Sequence, residues 1–118
     1  MDKTKLKDEI KIYKGIASTD TAQDELINLA IGESIERILA KINDYSEMEV
    51  LDIPSDLTFV VRDVAIKRYN RLNSEGAQSD SEEGRSFNWD SYLDEYDTTL
   101  RRVALGRRQT GRGVARFF

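Results

Sequence analysis

Three acids and a glycine stand within five residues at Asp80-Ser81-Glu82-Glu83-Gly84, a dense carboxylate grouping and the first place to look for metal chemistry. Calcium collects many oxygen ligands, and the loop best known for supplying them alternates Asp or Asn, turns on a central Gly and closes on Glu. The spacing at 80–84 does not follow that alternation, so a solvated acidic loop is expected rather than a cation site. Gly106, Gly111 and Gly113, interleaved with arginines, hold some ingredients of a phosphate cradle. No Gly-Lys-Ser/Thr accompanies them and no strand precedes them, so a nucleotide-binding loop is not expected. Asp94 and Glu95 are adjacent carboxylates that could trade protons, but on an amphipathic helix such a pair belongs to the solvent face. The chain has no His and no Cys. That removes the usual general base, the thiol nucleophile, disulfides and the commonest soft metal ligands. No Ser sits in a nucleophile elbow, and no ordinary triad can form. The expectation is a protein with no enzymatic activity, no cofactor and no metal.

Charge is distributed unevenly. The 118 residues carry a formal net charge of −4. Residues 1–97 hold 12 basic and 22 acidic side chains, a net of −10, whereas 98–118 hold six arginines and no acid, a net of +6. An acidic body with a basic terminal segment points to a segment that binds something. All its cations are Arg (Arg101, Arg102, Arg107, Arg108, Arg112 and Arg116), whose planar fork suits carboxylates and phosphates. The segment ends on Phe117 and Phe118 after Val114, which favours docking over solubility alone. No apolar run approaches the roughly 20 residues of a membrane span. Met1-Asp2-Lys3-Thr4-Lys5 leads into no apolar segment, so a secretory signal is not expected either.

The elements that would position these residues follow from apolar spacing. Leu6, Ile10 and Tyr13 predict a short amphipathic helix up to Lys14, closed by Gly15. Ile27, Ile31, Ile35, Ile38 and Ile42 predict a long helix from Thr21 to about Asn43, capped by Asp20 or Thr21, with acids in its first turn and a supporting Glu33–Arg37 pair. Gly32 within it costs about 1 kcal/mol against Ala, which suggests a close packing contact. Met48–Ile53 reads as a short apolar connector to Pro54. Leu57, Val60, Val61, Val64, Ala65, Tyr69 and Leu72 then predict a helix over 55–72. Asn73–Asn88 is polar, rich in Ser, Gly and acids, and reads as a long loop. Trp89, Tyr92, Leu93, Tyr96, Leu100 and Val103 predict one helix over 90–105, broken by Gly106. The aromatic cluster at its start could stack bases, but at helical spacing it reads as core or subunit interface. The fold expected is all-α, a small helical bundle over 1–105 with the 73–88 loop inside it and a flexible Arg-rich tail over 106–118.

The run Arg68-Tyr69-Asn70-Arg71-Leu72-Asn73-Ser74-Glu75-Gly76, continuing Ser79-Asp80-Ser81-Glu82-Glu83-Gly84-Arg85-Ser86-Phe87, resembles the head–tail connector (adaptor) proteins of tailed bacteriophages. The shared pattern is a helix ending in an aromatic-Asn-Arg segment, then a loop of Gly, Ser-x-Ser, Gly, Ser and an aromatic. The 24–40 helix and the Pro54-led helix are similar in order and length, and the likeness spans about 5–105. The resemblance implies a structural virion protein assembled in the host cytoplasm. It implies a subunit of a dodecameric ring at the head–tail interface, with the portal protein above and the next connector or tail-completion protein below. Double-stranded DNA would pass through the channel without specific binding, and no membrane is involved. On this reading Ser74, Glu75, Gly76, Ser79, Ser81, Gly84, Arg85, Ser86, Phe87 and Trp89 form a subunit-interface loop. The resemblance does not extend to the tail; its charge pattern makes the six tail arginines with Phe117 and Phe118 the element expected to dock on an acidic portal rim. The alternative is a nucleic-acid-binding packaging accessory that uses the same arginines.

Overall fold

The computed structural model describes residues 1–77 and 89–113, with side chains described for 1–74 and 89–106. Helix α1 spans Lys3–Lys14. Asp2 starts it by accepting from the Lys5 amide at 3.0 Å. Gly15 ends it at φ 74°, with its own amide on the Ile12 carbonyl and the Ile16 amide on the Lys11 carbonyl. That pair of bonds satisfies the last carbonyls only if the residue after the helix is left-handed, which Gly adopts without a Cβ clash. Leu6 and Ile10 are buried as expected, but Tyr13 is 71% exposed. The inward position in the last turn belongs instead to Lys11, whose ammonium finds three oxygens there.

Helix α2 spans Asp24–Tyr45 and starts later than expected. The carboxylate of Asp20 accepts from the Ala22 amide at 3.0 Å, which closes a local turn instead of capping the helix. Gln23 stands at the cap without a side-chain capping bond. Ile27, Ile31, Ile38 and Ile42 are fully buried, and Ile35 packs at the edge of the core. The expected Glu33–Arg37 pair gives way to tertiary partners. Glu33 accepts from Arg68 Nε at 2.7 Å, and Arg37 lies over the Trp89 ring. Gly32 has no close neighbour, since a Cβ built there meets nothing within 4 Å.

The connector from α2 is held by Asn43, whose amide group donates to the Val50 carbonyl at 3.0 Å and accepts from the Val50 amide at 2.7 Å. Val50 and Ile53 turn inward, while Met48 and Leu51 turn outward. Pro54 leads into a 3-10 turn, Ser55–Leu57. Helix α3 follows over Thr58–Ala77. It runs five residues into the segment read as loop. Asn73, Ser74 and Glu75 tolerate helix, and each added residue gains a backbone bond.

Helix α4 spans Trp89–Asp94 and helix α5 spans Asp97–Gly113, so the single helix expected over 90–105 is broken at Glu95–Tyr96. Tertiary bonds decide the break: the Tyr96 phenol donates to Asp63 Oδ2 at 3.2 Å, and Asp97 accepts from the Tyr45 phenol. Gly106 does not end α5, which continues to Gly113. A helical Gly is unfavourable by about 1 kcal/mol but keeps its amide donor, unlike Pro.

The α2–α3 pair forms the centre, with α1 and α5 packed on α2 and α4 on α3. One core joins Leu6 and Ile10 to the α2 isoleucines, the α3 valines, Leu93, Leu100 and Ala104. The result is a small all-α bundle, without strands among the described residues. No helix of the described residues is long and apolar enough to cross a membrane.

Candidate functional site

The residues singled out by sequence fall into two places, and the structure adds a third. The first is the base of α5. Arg101 sits over the Tyr45 ring at 4.8 Å and reaches Asp97 Oδ2 at 3.2 Å. The hydrogen bond to Tyr45, then its charge and that of Asp97, raise the guanidinium pKa above its ordinary value. Arg101 thereby ties the start of α5 to the end of α2. Arg102, one position on, is exposed. Arg107, Arg108 and Arg112 continue along the α5 backbone, and their side chains lie outside the described residues. Arg116, Phe117 and Phe118 lie outside them altogether.

The second place flanks the predicted interface loop. Ser74 is exposed near the end of α3, and Glu75 and Gly76 occupy its last turn. Ser79, Ser81, Gly84, Arg85, Ser86 and Phe87 lie outside the described residues, as does the acidic run 80–84. Trp89 opens α4 half-buried. The Arg37 and Arg68 guanidinium groups lie 5.5 and 5.4 Å from its ring centroid, so α2 and α3 both hold the point where the chain enters α4.

The third place reads in the sequence only as an apolar link. On the connector, Met48 is 75% and Leu51 79% exposed. Around them Asp44, Glu47, Glu49, Asp52 and Asp56 are all exposed, with no Lys or Arg between residues 42 and 61. The alternation Glu47-Met48-Glu49 and the five acids in residues 44–56 are the signal the sequence offers. Hydropathy alone cannot say which apolar side chains of a connector turn outward.

Another set of charged groups is matched across a cleft. A cleft of about 750 Å³ lies among α1, α3 and the 95–96 turn, with Ile12, Tyr13, Ile66 and Tyr96 on its walls. Its rim charges pair across it, Arg62 with Glu9 at 3.2 Å and Lys67 with Glu95 at 2.8 Å. Asp94 is exposed beside Glu95, as a solvent face should be. Tyr69 is buried and its phenol donates to Gln23 at 3.0 Å, which makes it a core residue rather than a stacking platform. Among the described residues no three Asp or Glu side chains gather as metal ligands would. What the described bundle shows on its surface is an acidic connector carrying two exposed apolar side chains, Met48 and Leu51.

The family model described as phage gp6-like head-tail connector protein matches residues 6–102, from the first buried leucine of α1 to the exposed arginines of α5. No curated protein and no solved structure matches the chain. With most of its length and nearly all of its described core inside that match, the chain belongs to the phage gp6-like head-tail connector family, whose members are structural components of the virion.

Proposed function

We propose that the protein is a ring-forming adaptor, twelve copies of which sit beneath the portal, extend the DNA channel and present a surface to the next connector or tail-completion protein. The family match over residues 6–102 carries this reading. A closed ring joins one face of each subunit to a different face of the next. The bundle supports this with distinct charged surfaces, an acidic connector at the end of α2 and arginines along α5. The body carries −10 over residues 1–97, a charge that lets DNA slide past without phosphate contacts. The arginines beyond Leu105, with Phe117 and Phe118, are the docking element, and their receptor is an acidic surface within the joint. The segment 74–89 meets the neighbouring subunit. Electron microscopy of the full chain mixed with its portal tests the reading. A ring stacked on the narrow end of the portal is expected; a portal that stays bare at saturating protein overturns it.

A further inference from the structure

We infer that the acidic connector 44–56 of one copy is the receptor for the Arg-rich arm, residues 107–118, of the next copy. This rests on the ring reading and names the contact that closes the ring. Met48 and Leu51 are large apolar side chains standing out in solvent on one short segment. They are held there firmly, because Asn43 binds both polar groups of Val50 between them and Ser46 Oγ donates to the Met48 carbonyl at 2.7 Å. A surface fixed in this way gives up little conformational entropy when covered.

Charge selects the occupant. The connector holds five acids and no cation over residues 44–56, whereas residues 107–118 hold four arginines and no acid. Asp52 has the terminal amino group at 3.7 Å and remains 72% exposed. The arm also carries Val114, Phe117 and Phe118, apolar groups to lie against Met48 and Leu51. The cleft beside Ile12 and Tyr13 offers no such match, since its charges are already paired across it.

Reach selects the copy. In its own subunit α5 begins at Asp97, bonded to Tyr45 beside the connector. At about 1.5 Å per residue the helix carries Gly113 about 24 Å from that point. α5 therefore leads the arm away from its own connector and toward another copy.

The chain has no cysteine, so an introduced pair reports without background. Met48→Cys with Phe117→Cys in the full chain, assembled on its portal and oxidised, is expected to give a ladder of covalent multimers. Glu49→Arg with Asp56→Arg should lower the cross-link yield at least tenfold. Arg112→Glu with Arg116→Glu should do the same, and the four changes together should restore it. Cross-links confined to single chains, or running from the thiol introduced on the arm to the portal, overturn the inference. So does an absent ladder while microscopy shows rings on the portal, an outcome that leaves the ring reading standing. Portals that stay bare of rings with the unmodified chain remove both.

Discussion

Lys11 Nζ lies 2.9 Å from Asp24 Oδ1 and also donates to the carbonyl oxygens of Ser18 at 3.3 Å and Asp20 at 2.7 Å. One ammonium, on a residue only 3% exposed, thus closes the 15–23 turn over the start of α2. The turn has no apolar anchor of comparable depth, and Gln23 supplies no cap. Lys11→Met, which keeps the stem but removes three charged hydrogen bonds, should lower unfolding stability by about 2–3 kcal/mol. Urea denaturation followed by circular dichroism measures this, and a midpoint equal to that of the parent chain would refute the assignment.

The same contact makes the protein sensitive to acid. The hydrogen bond from Lys11 holds the Asp24 carboxyl below its ordinary value; burial opposes this, and the charges of Lys11 and Lys7 reinforce it. A carboxyl depressed on folding contributes stability that is present above about pH 4 and is lost as pH falls through the depressed value. Melting temperature measured from pH 7 down to pH 2 should therefore drop less steeply at the acid end for Asp24→Asn, which starts from a lower value at pH 7. Parallel curves for the two proteins would exclude Asp24 as the source.

At the opposite end of the pH scale Tyr96 is the sensitive group. Burial first, then the charge of Asp63, its hydrogen bond from the phenol and the charge of Glu95 push the Tyr96 pKa up to about 12. A group raised on folding contributes stability that is complete below its ordinary value near pH 10 and is lost as pH climbs toward the raised one. Phenolate absorbance should show Tyr96 ionising late, and Tyr96→Phe should remove that late component and soften the alkaline loss of stability. Burial also raises Tyr69, so part of the late absorbance persists in the variant. An unchanged titration above pH 11 would refute the placement of Tyr96 against Asp63.

Apolar spacing makes the helices legible because each buries one stripe. Ile27, Ile31, Ile38 and Ile42 in α2 and Val60, Val61 and Val64 in α3 are buried where their periods place them. Gly15 is equally readable, since a left-handed end after a lysine-rich helix admits few residues. What escapes depends on tertiary partners that local pattern does not encode. The Glu95–Tyr96 break follows from Asp63 and Tyr45, which are distant in sequence. Lys11 reads as a surface residue until the turn folds over it. The spacing of the aromatic segment marks it as structural, but its holding groups, Arg37 and Arg68, come from two other helices.

Trp89 is the only tryptophan and reports directly on that clasp. Each guanidinium over an indole face contributes about 0.5–1 kcal/mol where partly exposed. Trp89→Leu should therefore lower stability by about 1–2 kcal/mol once lost packing is included. Arg37→Gln alone should cost less, and should shift the indole emission to the red as water replaces the guanidinium. Arg68→Gln should cost more, because Arg68 also holds Glu33 at 2.7 Å. A ranking in which Arg37 outweighs Arg68 would mean that the ion pair adds nothing to the clasp.

Gly32 and Gly106 give the plainest test of the helices themselves. Both lie inside helices, and a Cβ at either meets nothing within 4 Å. With space available and ordinary helical backbone, Ala at each site should gain up to about 1 kcal/mol, mostly by restricting the unfolded chain. Gly32→Ala should raise the thermal midpoint by several degrees, the scale expected for about 1 kcal/mol in a domain of this size. Gly106→Ala distinguishes a continuous α5 from an irregular tail: a continuous helix gains helical circular dichroism and stability, whereas a chain already irregular at 106 gains neither. In full-length assembly the two sites diverge. Gly106→Ala should leave ring formation on the portal intact, because it stiffens the arm without altering its charge. If Gly32→Ala stabilises the isolated subunit yet blocks ring assembly, the outer face of α2 is a close contact between copies, and the missing Cβ has its reason outside the subunit.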